Sequence, residues 1–144
     1  MVNVYGPSHG PERDEFIDWL HDLQIDNDYW MILGDFNFYR SVLNRNKTGG
    51  NMNDIFIFNE FIIFLSLLEI PLQGRAFTWS NMQGDPLLEQ LDWVFTFSNW
   101  ISRYPNTQAL VLAKNVFDHA PIKIQIATMI PKSNIFRFKN FWIS

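Results

Sequence analysis

Residues 29–33, Tyr-Trp-Met-Ile-Leu, form a bulky apolar run without polar alternation, the pattern of a strand covered on both faces. Gly34 marks its end, where backbone can pass close to another group. Asp35 and Asn37 follow at i, i+2. In extended chain both side chains would leave one face, with Cα atoms ~7 Å apart. Upstream, residues 2–5 read as a short strand stopped by Gly6-Pro7. A helix then starts at Gly10-Pro11-Glu12, with Pro11 at its first position and Glu12, Asp14 and Glu15 near the positive end of the dipole. Phe16, Trp19, Leu20 and Leu23 give it one apolar stripe.

The second half of the pattern is more β-rich. After a polar stretch at 44–51, Asn53 is expected to cap a helix with Asp54 in its first turn. Phe58, Phe61, Ile62 and Leu65 would form its buried face, and Pro71 would stop it by residue 70. Residues 76–80 alternate and suit a strand. A turn at 81–86 would join them in a hairpin to a strand at 91–97. One helical turn is expected at 99–104 and further strands at 108–113 and 122–127. The tail from Pro131 reads as an extended segment or linker, so the expected division is a domain at 1–130 and a linker-like tail at 131–144. There is no internal repeat.

Composition narrows the class. The 144 residues suffice for one domain with a core, and 47% hydrophobic residues argue against disorder. Fourteen Phe and six Trp are many for a small domain and suggest surface that expects a cover and low solubility. A net charge of −4 argues against tight binding of long polyanions by the isolated chain. It leaves room for a phosphodiesterase, whose acids gather around a cation. Without cysteine there are no disulfides or thiolate zinc sites. No targeting segment is visible, and the apolar stretch at 55–68 is interrupted by Asn59, Glu60 and Ser66 and is too short to span a bilayer.

Candidate chemistry lies at strand ends: Asp35 with Asn37, Asp92, and Asp118-His119. A carboxylate beside a carboxamide can position a water, a cation or a phosphate oxygen. Gly-Asp-x-Asn also ends ordinary strands, because all three residue types favour turns. Asp92 lies between Leu91 and Trp93, where an unpaired carboxylate is costly. It therefore needs a partner, and an imidazole is one option; otherwise Asp92 caps a turn and His119 is a satisfied core histidine. The loop carrying Arg45 and Lys47 reads first as a surface connection, and second as a phosphate-contacting segment.

Taken together, Asn3-Val4-Tyr5-Gly6-Pro7, Gly34-Asp35-Phe36-Asn37, Phe77-Thr78-Trp79-Ser80-Asn81, Leu91-Asp92-Trp93 and Asp118-His119-Ala120-Pro121, in this order, resemble the endonuclease/exonuclease/phosphatase superfamily. Within it the nearest likeness is to the endonuclease domain of plant LINE-type non-LTR retrotransposons. The tail Phe136-Arg137-Phe138-Lys139-Asn140-Phe141-Trp142 is similar to the segment leading to their reverse transcriptase. The resemblance implies an α+β fold, a partial four-layer α/β/β/α sandwich of the deoxyribonuclease-I-like kind, with the N-terminal half missing. It also implies a nuclease, a hydrolase acting in line on DNA phosphodiesters with Mg²⁺, or alternatively Mn²⁺, in the nucleus and away from membranes.

By the same resemblance Tyr5 contacts the scissile phosphate, Asp35 activates water, and Asn37 holds the phosphate or a cation. Asp118 helps bind the metal with Asp35 and Asn37, His119 stabilises the phosphorane, and Asp92 orients His119. Trp79, Asn81, Arg45 and Lys47 would lie near DNA. The family's metal-binding Glu belongs to the N-terminal half, so the metal site is expected to be incomplete and the chain inactive alone without that half as partner. Phe117 stands where the family carries a small Ser, and Trp93 where it commonly carries Arg. The alternative is a non-catalytic remnant or interaction module on the same half-fold.

Overall fold

The computed structural model describes residues 1–23, 29–113 and 116–127. A four-stranded sheet carries β1 (Val2–Tyr5), β2 (Met31–Asp35), β7 (Asp92–Thr96) and β3 (Leu68–Glu69) in the order β1-β2-β7-β3. β1 runs parallel to β2, and β7 antiparallel to both β2 and β3. A second sheet of β4 (Leu72–Gln73), β8 (Gln108–Val111) and β9 (Ile122–Gln125) has the order β4-β8-β9. A two-strand ladder pairs β5 (Trp79–Ser80) with β6 (Leu88–Glu89).

Alternation along the central strands decides the layers. Ile32, Trp93 and Phe95 face α1 (Glu12–His21) and α2 (Met52–Phe64), meeting Ile17, Leu20, Phe58, Phe61 and Ile62 in one core. Met31 and Val94 face the other way and pack with Ile70, Ala109, Ile122, Ile124 and, from α3 (Ser98–Arg103), Trp100. The described residues are thus an α+β arrangement of three layers, helices on sheet on sheet. β2 is covered on both faces, as its unbroken apolar run demands.

Several expected boundaries move. Pro11 is the N-cap of α1, one position before the helix, and the buried stripe uses Ile17, leaving Trp19 exposed and stacked on Phe16. β2 starts two residues later than its apolar run and continues through Gly34 into Asp35. Gly34 has φ +132, and a Cβ there would run into the Val4 carbonyl oxygen on the neighbouring strand. The cap of α2 is Asn51, whose side chain accepts from the backbone of Asn53 and Asp54; Asn53 already lies in the first turn. The helix ends at Phe64, well before Pro71, because Ser66 turns left-handed at φ 54 and the chain re-enters the large sheet as β3. β5 pairs with β6, not with β7, since β7 completes the central sheet. The tail at 131–144 lies outside the described residues. No helix among the described residues is long and apolar enough to cross a membrane, but α2 exposes Met52, Phe56, Ile63 and Phe64.

Candidate active site

Register places the first three candidates in one row. Tyr5 on β1 is opposite Asp35 on β2, which is opposite Asp92 on β7. Two carboxylates directly opposite in a ladder repel, and here the imidazole of His119 lies between them. Its Nδ1–H donates to Asp92 Oδ2 at 2.9 Å, and Nε2 is 3.4 Å from Asp35 Oδ2. His119 reaches this place because its backbone bridges Trp79, and Ala120 N donates to Thr78 O. Thr78, itself buried, accepts from Leu91 N and Asp92 N, both at 3.1 Å, and so fixes the start of β7.

Asn37 does not continue the extended chain. At φ 53 it turns left-handed, which asparagine tolerates better than most residues, and folds back on Asp35. Its backbone N–H donates to Asp35 Oδ1 at 2.9 Å; its carboxamide Nδ2 donates to Asp35 Oδ2 at 3.0 Å and to Gly6 O at 2.6 Å. The pair meets because the chain bends, not because it shares a strand face.

Burial raises the Asp35 pKa to about 6; the Asn37 N–H opposes this and the charge of Asp92 adds to it. The hydrogen bond to Asp92 raises His119 above the usual imidazole range against its partial burial. Near neutral pH the site therefore holds a carboxylate ready to take a proton beside an imidazole inclined to keep one.

These groups open on a cleft of 690 Å³ whose lining includes Tyr5, Asp35, Asn37, Trp79, Asp118 and His119, together with Arg13, Tyr39, Asp54 and Glu89. Asp92 sits behind His119. The Trp79 indole N–H donates to Asp118 Oδ2 at 3.3 Å. Asn81, Arg45 and Lys47 do not line the cleft. Asn81 closes its own turn by accepting from Gln83 N and Leu87 N. Arg45 pairs with Glu89 at 2.9 Å and Lys47 with Asp85 at 2.7 Å, so the 44–51 stretch is pinned to the β5–β6 hairpin. Phe117, next to Asp118 in the chain, is 71% exposed.

For Mg²⁺ the donor set falls short. Among the described residues no three His, Asp or Glu side chains group in a way that could hold a metal ion. Both Asp35 oxygens already accept hydrogen bonds from Asn37, and those of Asp118 face Trp79 and the His119 backbone. Asp35, Asn37 and Asp118 do not by themselves fit a complete cation site.

Arg13 and Thr78 help build the site although the sequence motifs assign neither a role. Arg13 did carry a signal: it is the one cation among Glu12, Asp14 and Glu15 in the first turn of a helix, where the dipole disfavours positive charge. Such a residue needs a reason from elsewhere in the fold.

No family model matches the chain. The chain is similar to the Transposon TX1 uncharacterized 149 kDa protein of Xenopus laevis, at 26% identity over 148 residues; the match takes in 97% of this chain and 11% of that protein. Among solved structures it is similar to the endonuclease domain of TRAS1, a telomere-specific non-LTR retrotransposon, with a TM-score of 0.48 and 13% identity over 69% of this chain and 44% of that one.

Proposed function

We propose that the cleft is the catalytic-dyad part of a DNA phosphodiesterase site of retrotransposon origin, of the LINE type, and that the chain is inactive alone. The plant lineage rests on the sequence motifs. The observation that carries the reading is the row of Tyr5, Asp35 and Asp92 with His119 seated between the two carboxylates at the cleft. Asp35 takes the proton from a water that attacks phosphorus in line. Negative charge then grows on the phosphoryl oxygens, and the leaving oxygen departs with its bonding electrons. His119 Nε2–H lies 3.4 Å from Asp35, longer than a good hydrogen bond, so it remains available to a phosphoryl oxygen. Asp92 keeps the ring in that orientation, as a carboxylate behind an imidazole does elsewhere. Tyr5 and Asn37 contact the phosphate.

Mg²⁺, or alternatively Mn²⁺, neutralises charge on a phosphodiester when bound; here it requires ligands beyond the described residues. Arg13 on the cleft wall is already paired with Asp54, and Arg45 outside the cleft with Glu89, so they add little attraction for DNA. A unit lacking one member commonly loses several orders of magnitude in rate. The same shortfall of donors favours the second reading, a non-catalytic module on this scaffold.

Supercoiled plasmid with Mg²⁺ or Mn²⁺ tests the proposal alongside binding of a labelled duplex. The expected result is no nicking above an Asp35→Ala control, with duplex binding weakened by Tyr5→Ala and Asn37→Ala. Nicking abolished by Asp35→Ala overturns the inactivity. Binding indifferent to both substitutions overturns the DNA site and leaves the non-catalytic reading.

A further inference from the structure

We propose that Arg13 is the positioning residue of this site: it holds the backbone of Asn37 in the left-handed turn that brings the carboxamide onto Asp35. The role rests on the proposed reading only in calling Asp35 the base; the geometry stands without it. Arg13 Nη1 donates to Asn37 O at 2.9 Å and to Pro7 O and Ser8 O, each at 3.1 Å. Nη2 donates to Asp54 Oδ2 at 2.8 Å, and the guanidinium carbon lies 3.9 Å from the Phe38 ring centroid. One side chain thus joins the loop after β1, the turn after β2 and the first turn of α2.

The alternative role for an arginine on a cleft wall is to clamp a phosphate. Here both Nη1 hydrogens serve three carbonyl oxygens and one Nη2 hydrogen serves a carboxylate, so three of the five donors already face protein acceptors. The side chain is 15% exposed. Lysine has no planar fork with which to span these acceptors. The load falls on Asn37, because a non-glycine residue at positive φ persists only where its surroundings fix it. The Arg13–Asn37 bond supplies that restraint on the carbonyl side, while Asp35 Oδ1 receives the N–H.

The test is NMR on the full chain and needs no activity. In folded Arg13→Met the Asn37 side-chain NH₂ pair and backbone N–H lose about tenfold or more of their hydrogen-exchange protection, the scale of one lost hydrogen bond. Arg13→Lys recovers only part of it, and methylguanidinium added to Arg13→Ala restores it. Arg40→Met is the control, because it removes a comparable staple, to Glu69 and Asn59, and leaves the Asn37 signals in place. Unchanged Asn37 signals in folded Arg13→Met, or equal loss in the control, overturn the proposal. Should Arg13→Met not fold, the wild-type chain decides. Separate, slowly exchanging Arg13 Nη protons with contacts to Asn37 support the role, and a freely rotating guanidinium overturns it. Failure of DNA binding with these signals as expected would count against the proposed function and leave the role of Arg13 standing.

Discussion

Replacing Asp35 by Asn tests whether this carboxylate sits in the strained electrostatic state its surroundings imply. Its folded pKa is about 6, against an ordinary 3.8, and its side chain is 7% exposed. A group whose folded pKa is raised stabilises the fold below its unfolded pKa, and that stability is lost as pH rises through the folded value. The full loss is ~3 kcal/mol, since each tenfold change in proton affinity is worth ~1.36 kcal/mol. About one pH unit below the folded midpoint, near pH 5, roughly 1.4 kcal/mol of protonation stability is present, and near pH 8 it is gone. Asparagine does not titrate, so the stability of Asp35→Asn minus wild type should rise by ~1.4 kcal/mol between those conditions. Any fixed cost of misplaced amide hydrogens cancels in the difference. His119, relieved of one of the three carboxylates that raise it, shifts the difference in the same direction. Urea unfolding of both chains at the two pH values is the assay. A difference that stays flat, or falls with pH, would mean that Asp35 titrates normally and that burial does not govern it.

Four further outcomes follow from particular contacts. Asp92→Asn should lower the His119 titration midpoint in NMR, since the Asp92 hydrogen bond is the leading cause of its elevation; an unmoved midpoint contradicts the coupling. Thr78→Val leaves Leu91 N and Asp92 N without their acceptor and should cost ~1–3 kcal/mol in unfolding free energy, where a neutral effect refutes the pinning role. Gly34→Ala places a methyl against the Val4 carbonyl at a φ of +132 and should cost ~1–3 kcal/mol or more; a melting temperature equal to wild type would show the strand pair to be looser than its register implies. Phe56→Glu with Ile63→Lys, on the exposed row of α2, should raise the concentration at which the chain stays monodisperse in light scattering, and no change would locate the sticky surface elsewhere.

The central strands and helices are legible in the sequence because their signals are long and local. An unbroken apolar run marks β2, and a turn pattern marks the segment closed by Asn81. What stays hidden depends on partners distant in sequence. β3 is two residues long and exists by pairing with β7, which no local pattern announces. Residues 91–97 read plainly as a strand, yet sequence adjacency favours a hairpin with 76–80, and the open place beside β2 wins instead. The site divides in the same way. Asp92 can be singled out because an unpaired carboxylate in an apolar strand is costly, and its imidazole partner is among the options. That Asn37 meets Asp35 through a left-handed turn, and that Arg13 closes that turn from a helix, are consequences of packing between the loop after β1, the turn after β2 and the start of α2. Only the misplaced charge of Arg13 in an acidic first turn hints at them.

The proposed nuclease reading requires that Tyr5, Asn37 and His119 together face a DNA phosphodiester. NMR titration of the full chain with a short duplex, in Mg²⁺, reads this without relying on turnover. The His119 ring and the Tyr5 and Asn37 signals should shift together at saturation, and the His119 midpoint should rise on binding because a phosphate joins Asp92 beside it. Shifts confined to residues outside the cleft, with these three unmoved, would rule it out.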